Sequence, residues 1–243
     1  MTALLVIGCT CAMTFGGGLL ALRLEAYRAF VLAFAAGALV ASALIHVIPD
    51  ALGLLEKSGA ALPHDHVMVA CSLGFLSFYL FEQVSHEHHH HNDLAPRHAG
   101  EAGLWGAAGI GVHSLLDGVA IGEGFHAGSA VGWIVAFAVI AHKFADGVST
   151  VGILVSTGRS GRIVHTMLAA TALAPLAGLG LQALVPLPLP MLALVLGWFS
   201  GVFLYLGAAA LIPAAHAASR SRWVPAATLS GVAFVYLLYR ASE

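Results

Sequence analysis

Two six-residue stretches, His113-Ser114-Leu115-Leu116-Asp117-Gly118 and His142-Lys143-Phe144-Ala145-Asp146-Gly147, share the pattern His-x-x-x-Asp-Gly. In an α-helix, residues four apart lie on one face a turn apart, so each stretch points an imidazole and a carboxylate the same way and forms a chelating pair. Two such pairs brought together supply two nitrogen and two oxygen ligands. That number and donor type suit zinc, with cadmium, iron, manganese and cobalt also compatible. One pair alone could be a hydrogen-bonded lock between helices, a common use of polar residues in membranes. Two copies with the same spacing and the same following glycine favour a metal, and the glycines suit close helix approach on either reading.

Other candidates carry less. Ser114 offers either a hydroxyl ligand or a packing contact. His46 and Asp50, with Pro49 between them to loosen the helix, either line a path or end their helix. Glu123 lies six residues past Asp117 and off its helical face, which points to an entrance or surface role. His86, His88, His89, His90 and His91, with His98 beyond, can gather transition metals weakly, because neutral imidazoles ligate in almost any arrangement; an unspecific solvated linker is the alternative. His165 and His216 are lone histidines near helix ends, without an expected role. Cys9, Cys11 and Cys71 have neither zinc-finger nor disulfide spacing and are read as packing residues.

The elements that must position these residues are membrane spans. The 243 residues are 59% hydrophobic and only 9% charged, against about 25% charged for a soluble domain. A net charge of −2 with scattered basic residues leaves no electrostatic footprint for nucleic acid. Apolar runs long enough to cross a hydrocarbon core recur eight times, at about 2–22, 29–50, 66–82, 104–125, 130–155, 163–185, 190–213 and 223–239. The first run has no basic leader and no convincing cleavage site, so it is expected to be retained. The expected fold class is all-α, a polytopic bundle of eight transmembrane helices in one domain over 1–243. Residues 83–103, polar and His-rich, are expected to form a disordered loop, for lack of apolar residues to bury.

With eight spans, the odd-numbered loops share one side and carry Arg23, Arg28, Arg97, Arg159, Arg162, Arg220 and Arg222, while the other side has Lys57 and Arg240. The positive-inside rule then places those loops, the His-rich one included, in the cytoplasm and both termini outside. Ionisable residues within spans are costly and mark functional positions, and they concentrate in spans four and five. Joined by a tight turn about Gly128, these spans are antiparallel neighbours, so the two His/Asp pairs meet near mid-membrane.

His113-Ser114-x-x-Asp117-Gly118 followed by His142-Lys143-x-x-x-Gly147 resembles the paired metal-site motifs of the ZIP (Zrt/Irt-like protein) family of divalent metal transporters. His46-Val47-Ile48-Pro49-Asp50 at the end of span two, the His-rich loop, and Gly201-Val202-Phe203-Leu204-Tyr205 with Leu211-Ile212-Pro213 in span seven are similar to that family too. The resemblance covers nearly the whole chain. It implies eight helices with outward termini, in agreement with the charge count, and movement of metal toward the cytoplasm across the plasma membrane.

Two departures bear on the site. Members with a two-metal site carry an acid directly after the first span-five ligand and a Glu before a Pro in span six. Here those places hold Lys143 and Ala174-Pro175. Two aspartates and one lysine leave the site at −1; one divalent ion brings it to +1 and a second to +3, a state strongly disfavoured at low dielectric. One ion is therefore expected. The Lys143 ammonium stands where the second would sit, forms a structural ion pair with Asp117 or Asp146, or does both.

The function expected from motif and resemblance is transport of a divalent metal, zinc first, without catalysis, by movement of one helix bundle against another about a midplane site. The rivals are an intramembrane zinc hydrolase, with three ligands and an activated water, and a metal-gated channel or sensor. Small-residue runs such as Gly16-Gly17-Gly18 and Ala33 to Ala38 support tight packing, within the chain or in a homodimer.

Overall fold

A computed structural model describes residues 2–59, 62–87, 97–184 and 188–242. The regular elements among them are all helical: α1 (Thr2–Arg23), α2 (Arg28–Ala41), a π-helical turn (Ser42–Val47), α3 (Ile48–Lys57), α4 (Asp65–Glu87), α5 (Arg97–Ala127), α6 (Ser129–Ser156), α7 (Arg162–Leu184), α8 (Leu189–Leu204), a second π-helical turn (Tyr205–Leu211), α9 (Ile212–Ala218) and α10 (Val224–Ser242). Six spans among the described residues are long and apolar enough to cross a membrane: Thr2–Arg23, Arg28–Lys57, Gly103–His126, Val135–Ser156, Arg162–Leu184 and Leu189–Ala218. Asp65–Leu80 and Val224–Arg240 are shorter apolar helices. Leu4, Leu5, Leu73, Leu184, Leu229 and Leu237 stay exposed, which is the arrangement of an integral membrane protein whose outer faces meet lipid.

Span two does not end at Pro49-Asp50 as its sequence suggested; it continues through α3 to Lys57. Span seven likewise runs past Pro213 to Ala218. Each proline stands two residues past the end of a π-helical turn. A proline inside an α-helix removes one hydrogen bond and collides with the carbonyl four residues back, and a widened turn before it relieves the collision without ending the helix. The polar stretch 83–103 is also more regular than expected at its edges, since α4 extends to Glu87 and α5 begins at Arg97. A helix satisfies its own backbone, so it can continue past the bilayer without apolar residues to bury. His88–His91 and the side chain of His86 lie outside the described residues.

The helices pack as two groups. In the first, α5 lies against α6 and α7, and α1 against α6 and α7. In the second, α4 runs along α8 and α10 along α2, with α3 and the second π turn between them. Within each group, glycines let backbone touch backbone. A Cβ at Gly118 would fall on the Pro175 carbonyl, one at Gly147 on that of Thr14, one at Gly37 on that of Thr228, and one at Gly201 on that of Cys71. Where described glycines face the other group, the neighbours are side chains: Leu32 and Ala35 lie 3.5 and 3.7 Å from a Cβ built on Gly152. Between α5 and α6 the chain reverses at Gly128 alone, whose φ of 143° favours glycine.

Candidate metal centre

The two His-x-x-x-Asp-Gly stretches lie within α5 and α6, and the reversal at Gly128 sets these helices side by side. The glycine that closes each motif turns away from the site: Gly118 receives α7 and Gly147 receives α1. Close packing on that side leaves the His/Asp face of each helix toward its neighbour. His113, Asp117, His142 and Asp146 consequently converge, each offering one ligand atom, with all four atoms within 4.8 Å of one another. All four side chains are buried. In a tetrahedral zinc site with bonds near 2.1 Å the ligand atoms stand about 3.4 Å apart, so a contraction of at most about 1.4 Å would complete such a shell.

One carboxylate oxygen is the hub. Oδ2 of Asp117 lies 3.2 Å from Nε2 of His142, 3.4 Å from Nε2 of His113 and 2.5 Å from Nζ of Lys143. His142 makes a hydrogen-bonded contact with it, whereas His113 is within ion-pair distance but not in hydrogen-bonding orientation. Both ring nitrogens of His113 are thus buried without a hydrogen-bond partner. A buried imidazole in that condition carries a free-energy penalty that a bound cation would remove.

Lys143 is fully buried, and its ammonium has three hydrogens and three acceptors: Asp117 Oδ2, Asp146 Oδ2 at 2.8 Å and Ser114 Oγ at 2.7 Å. It sits between the carboxylates of both motifs, so the ion pair reaches both aspartates at once. Ser114 spends its hydroxyl on Lys143.

The second group of helices closes the site. The His46 ring, from the first π turn, stands 4.6 Å from that of His142, and its Nδ1 lies 3.2 Å from Asp50, which is half exposed. Phe203 of α8 meets His113 edge-on with centroids 4.6 Å apart, and Phe199 lies 6.1 Å from the same ring. These two phenylalanines were not recognised in the sequence as site residues. Their spacing of four places them on one face of α8, but nothing local says which helix that face meets. Glu123 stands apart from the cluster; it is half-buried, and its Oε1 is enclosed without a hydrogen-bond partner, unlike a surface group. Ser149, on α6 beyond Asp146, was also missed, and its hydroxyl is buried without a partner. His165 and His216 are exposed, with Nδ1 near the carbonyls of Gly161 and Ile212 respectively. Cys71 is buried, Cys11 partly so and Cys9 exposed, all as free thiols.

Comparison with known proteins agrees with this geometry. The chain is 28% identical over 246 residues to the zinc transporter zipt-7.1 of Caenorhabditis briggsae, an alignment that covers 75% of this chain and 60% of that protein. The chain therefore spans less than two thirds of this relative's length. The family model described as ZIP zinc transporter matches residues 1–106 and 102–238. A match of that extent, over a membrane bundle with a buried His/Asp cluster, means that the chain belongs to the ZIP zinc transporter family.

Proposed function

We propose that this chain carries a divalent transition metal, zinc first, toward the cytoplasm, one ion at a time, with His113, Asp117, His142 and Asp146 as ligands. The observation that carries this reading is a buried four-ligand cluster in which one imidazole has no hydrogen-bond partner. Cadmium, iron, manganese and cobalt share the donor preference and are the competing cargoes. Lys143 takes the place of a second ion. Its ammonium is already shared by both carboxylates, and a second dication would have to displace it or lie against it.

The same reading uses eight crossings, one domain and both termini outside, at the plasma membrane. Support for eight comes from the two shorter apolar helices, since each packs along a helix that is long enough to cross: α4 along α8 and α10 along α2. Arg28 and Arg159 line one cavity, which fits an even number of crossings between them. Alternating access fits the two helix groups, because backbone-on-backbone contacts lie inside each group while His46 and Phe203 reach the ligands from the other. His46 and Asp50 are then the first groups of the second bundle that a released ion would meet.

Proteoliposomes loaded with a zinc-sensitive dye test the reading. His113→Ala with Asp117→Ala should lower zinc flux at least about a hundredfold; flux equal to that of the unaltered protein would remove the site from the transport path.

A further inference from the structure

At the end of the bundle where α1 finishes and α2 begins lies a cavity of about 260 Å³ that plays no part in the metal site. It is enclosed by the last turns of α1 and α6 and the first turns of α2 and α7. Its depth is apolar, with Leu22, Val31, Leu32, Val151 and Val164 among the walls. Its polar lining among the described residues consists of Arg28 and Arg159, Ser160, and the backbone of a loop in which Gly158 and Gly161 have φ of 80° and 61°. Among the described residues, no Asp or Glu lines it. A cavity with a greasy depth and a cationic rim is matched by a molecule with one anionic head and an apolar remainder.

Its level along the bundle identifies which molecule. Tyr27 and Trp223, both well exposed, stand at the starts of α2 and α10 beside this same end. Aromatic residues so placed sit at the headgroup level of a bilayer. Arg23 and Arg162 flank the cavity at the end of α1 and the start of α7, which adds positive charge at the same level. Basic pockets between membrane helices at that depth hold phospholipid headgroups.

We propose that this cavity binds the phosphate of an anionic membrane phospholipid, held by Arg28 and Arg159 with its acyl part along the apolar wall. Arg28 belongs to the second helix group and Arg159 to the connection between two helices of the first, so the headgroup bridges the joint between the groups. The protein already ties the joint at this point, since Arg28 donates a hydrogen bond to the Val155 carbonyl at 2.5 Å. A bound phosphate adds a second tie, through charge-assisted hydrogen bonds to guanidinium groups.

The test measures binding and needs no transport, so its failure is separable from failure of the transport reading. The purified full-length chain in detergent is titrated with phosphatidylglycerol, phosphatidylcholine or inorganic phosphate, and retained lipid is counted by native mass spectrometry. Phosphatidylglycerol is expected to be retained in preference to phosphatidylcholine. Arg28→Gln with Arg159→Gln should weaken that retention roughly twentyfold, while Arg222→Gln, away from the cavity, leaves it unchanged. Because Arg28 also supports the fold, Ser160→Glu serves as a second variant: the residue is exposed, and the new carboxylate at the rim should compete with the phosphate and reduce retention comparably. Retention unchanged in both variants would overturn the proposal. Saturation by inorganic phosphate, with no further binding of the lipid, would overturn the assignment to a phospholipid.

Discussion

The two helix groups use the same packing device for different ends. Both are fastened internally by glycines that bring backbones together, Gly118 and Gly147 in the first, Gly37 and Gly201 in the second. The first group, however, encloses two aspartates, two histidines and a lysine, and the second contributes one histidine and two phenylalanines to the same space. Costly buried charge is thus held in the group whose helices cannot shift relative to one another without breaking close backbone contact. The group that meets it across side chains carries both π turns, each followed by a proline. On the proposed reading, rigidity lies where the ligands would have to stay in register, and the softer contact lies where one body would pass the other.

The largest test of that division is Lys143→Met. Removing the ammonium leaves two buried carboxylates uncompensated, and stability without metal should fall by about 3–5 kcal/mol. Zinc should restore most of it, and zinc bound per chain should rise from one toward two. A variant as stable as the parent without zinc would mean that the charge in the first group is not under the constraint described.

Next in size are the glycine contacts inside each group. Gly147→Ala and Gly37→Ala each drive a methyl into a backbone carbonyl, Thr14 in one case and Thr228 in the other. Each should cost about 1–3 kcal/mol in denaturant unfolding, and a neutral result at either would loosen that group to the level of the joint.

External acid should act on the His/Asp cluster of the first group. Imidazole and carboxylate must be deprotonated to bind metal, so protons compete with it, and the sign is a loss of uptake as external pH falls. A severalfold decrease between about pH 7.5 and about pH 5.5 is expected, in the range where histidine changes charge. Uptake flat across that range would argue against ligation by these residues.

The smallest effect belongs to the joint. Gly152→Ala meets Leu32 and Ala35 at ordinary van der Waals distance, so stability should stay within about 0.5 kcal/mol of the parent. A loss as large as that of Gly147→Ala would mean that the two groups are fastened together as tightly as each is within itself.

The apolar runs located every helix to within a few residues at most ends, because twenty apolar residues in a row have few alternatives to a membrane helix. The paired motifs located the four candidate ligands, since a spacing of four is a property of one helix and needs no knowledge of its neighbours. What the runs missed were the continuations past Pro49 and Pro213, where a π turn absorbs a proline that local rules treat as a stop. Lys143 was recognisable as an oddity from its position beside His142. That its single ammonium serves both aspartates and Ser114 depended on how α5 crosses α6. His46, Phe199 and Phe203 come from helices remote in sequence, and the division into two groups arises from which glycine meets which backbone. The sequence alone determined the helices and the paired His/Asp motifs, which rest on contacts within a turn or two. Only the tertiary structure decided what closes over them, because that is fixed by packing between helices far apart in the chain.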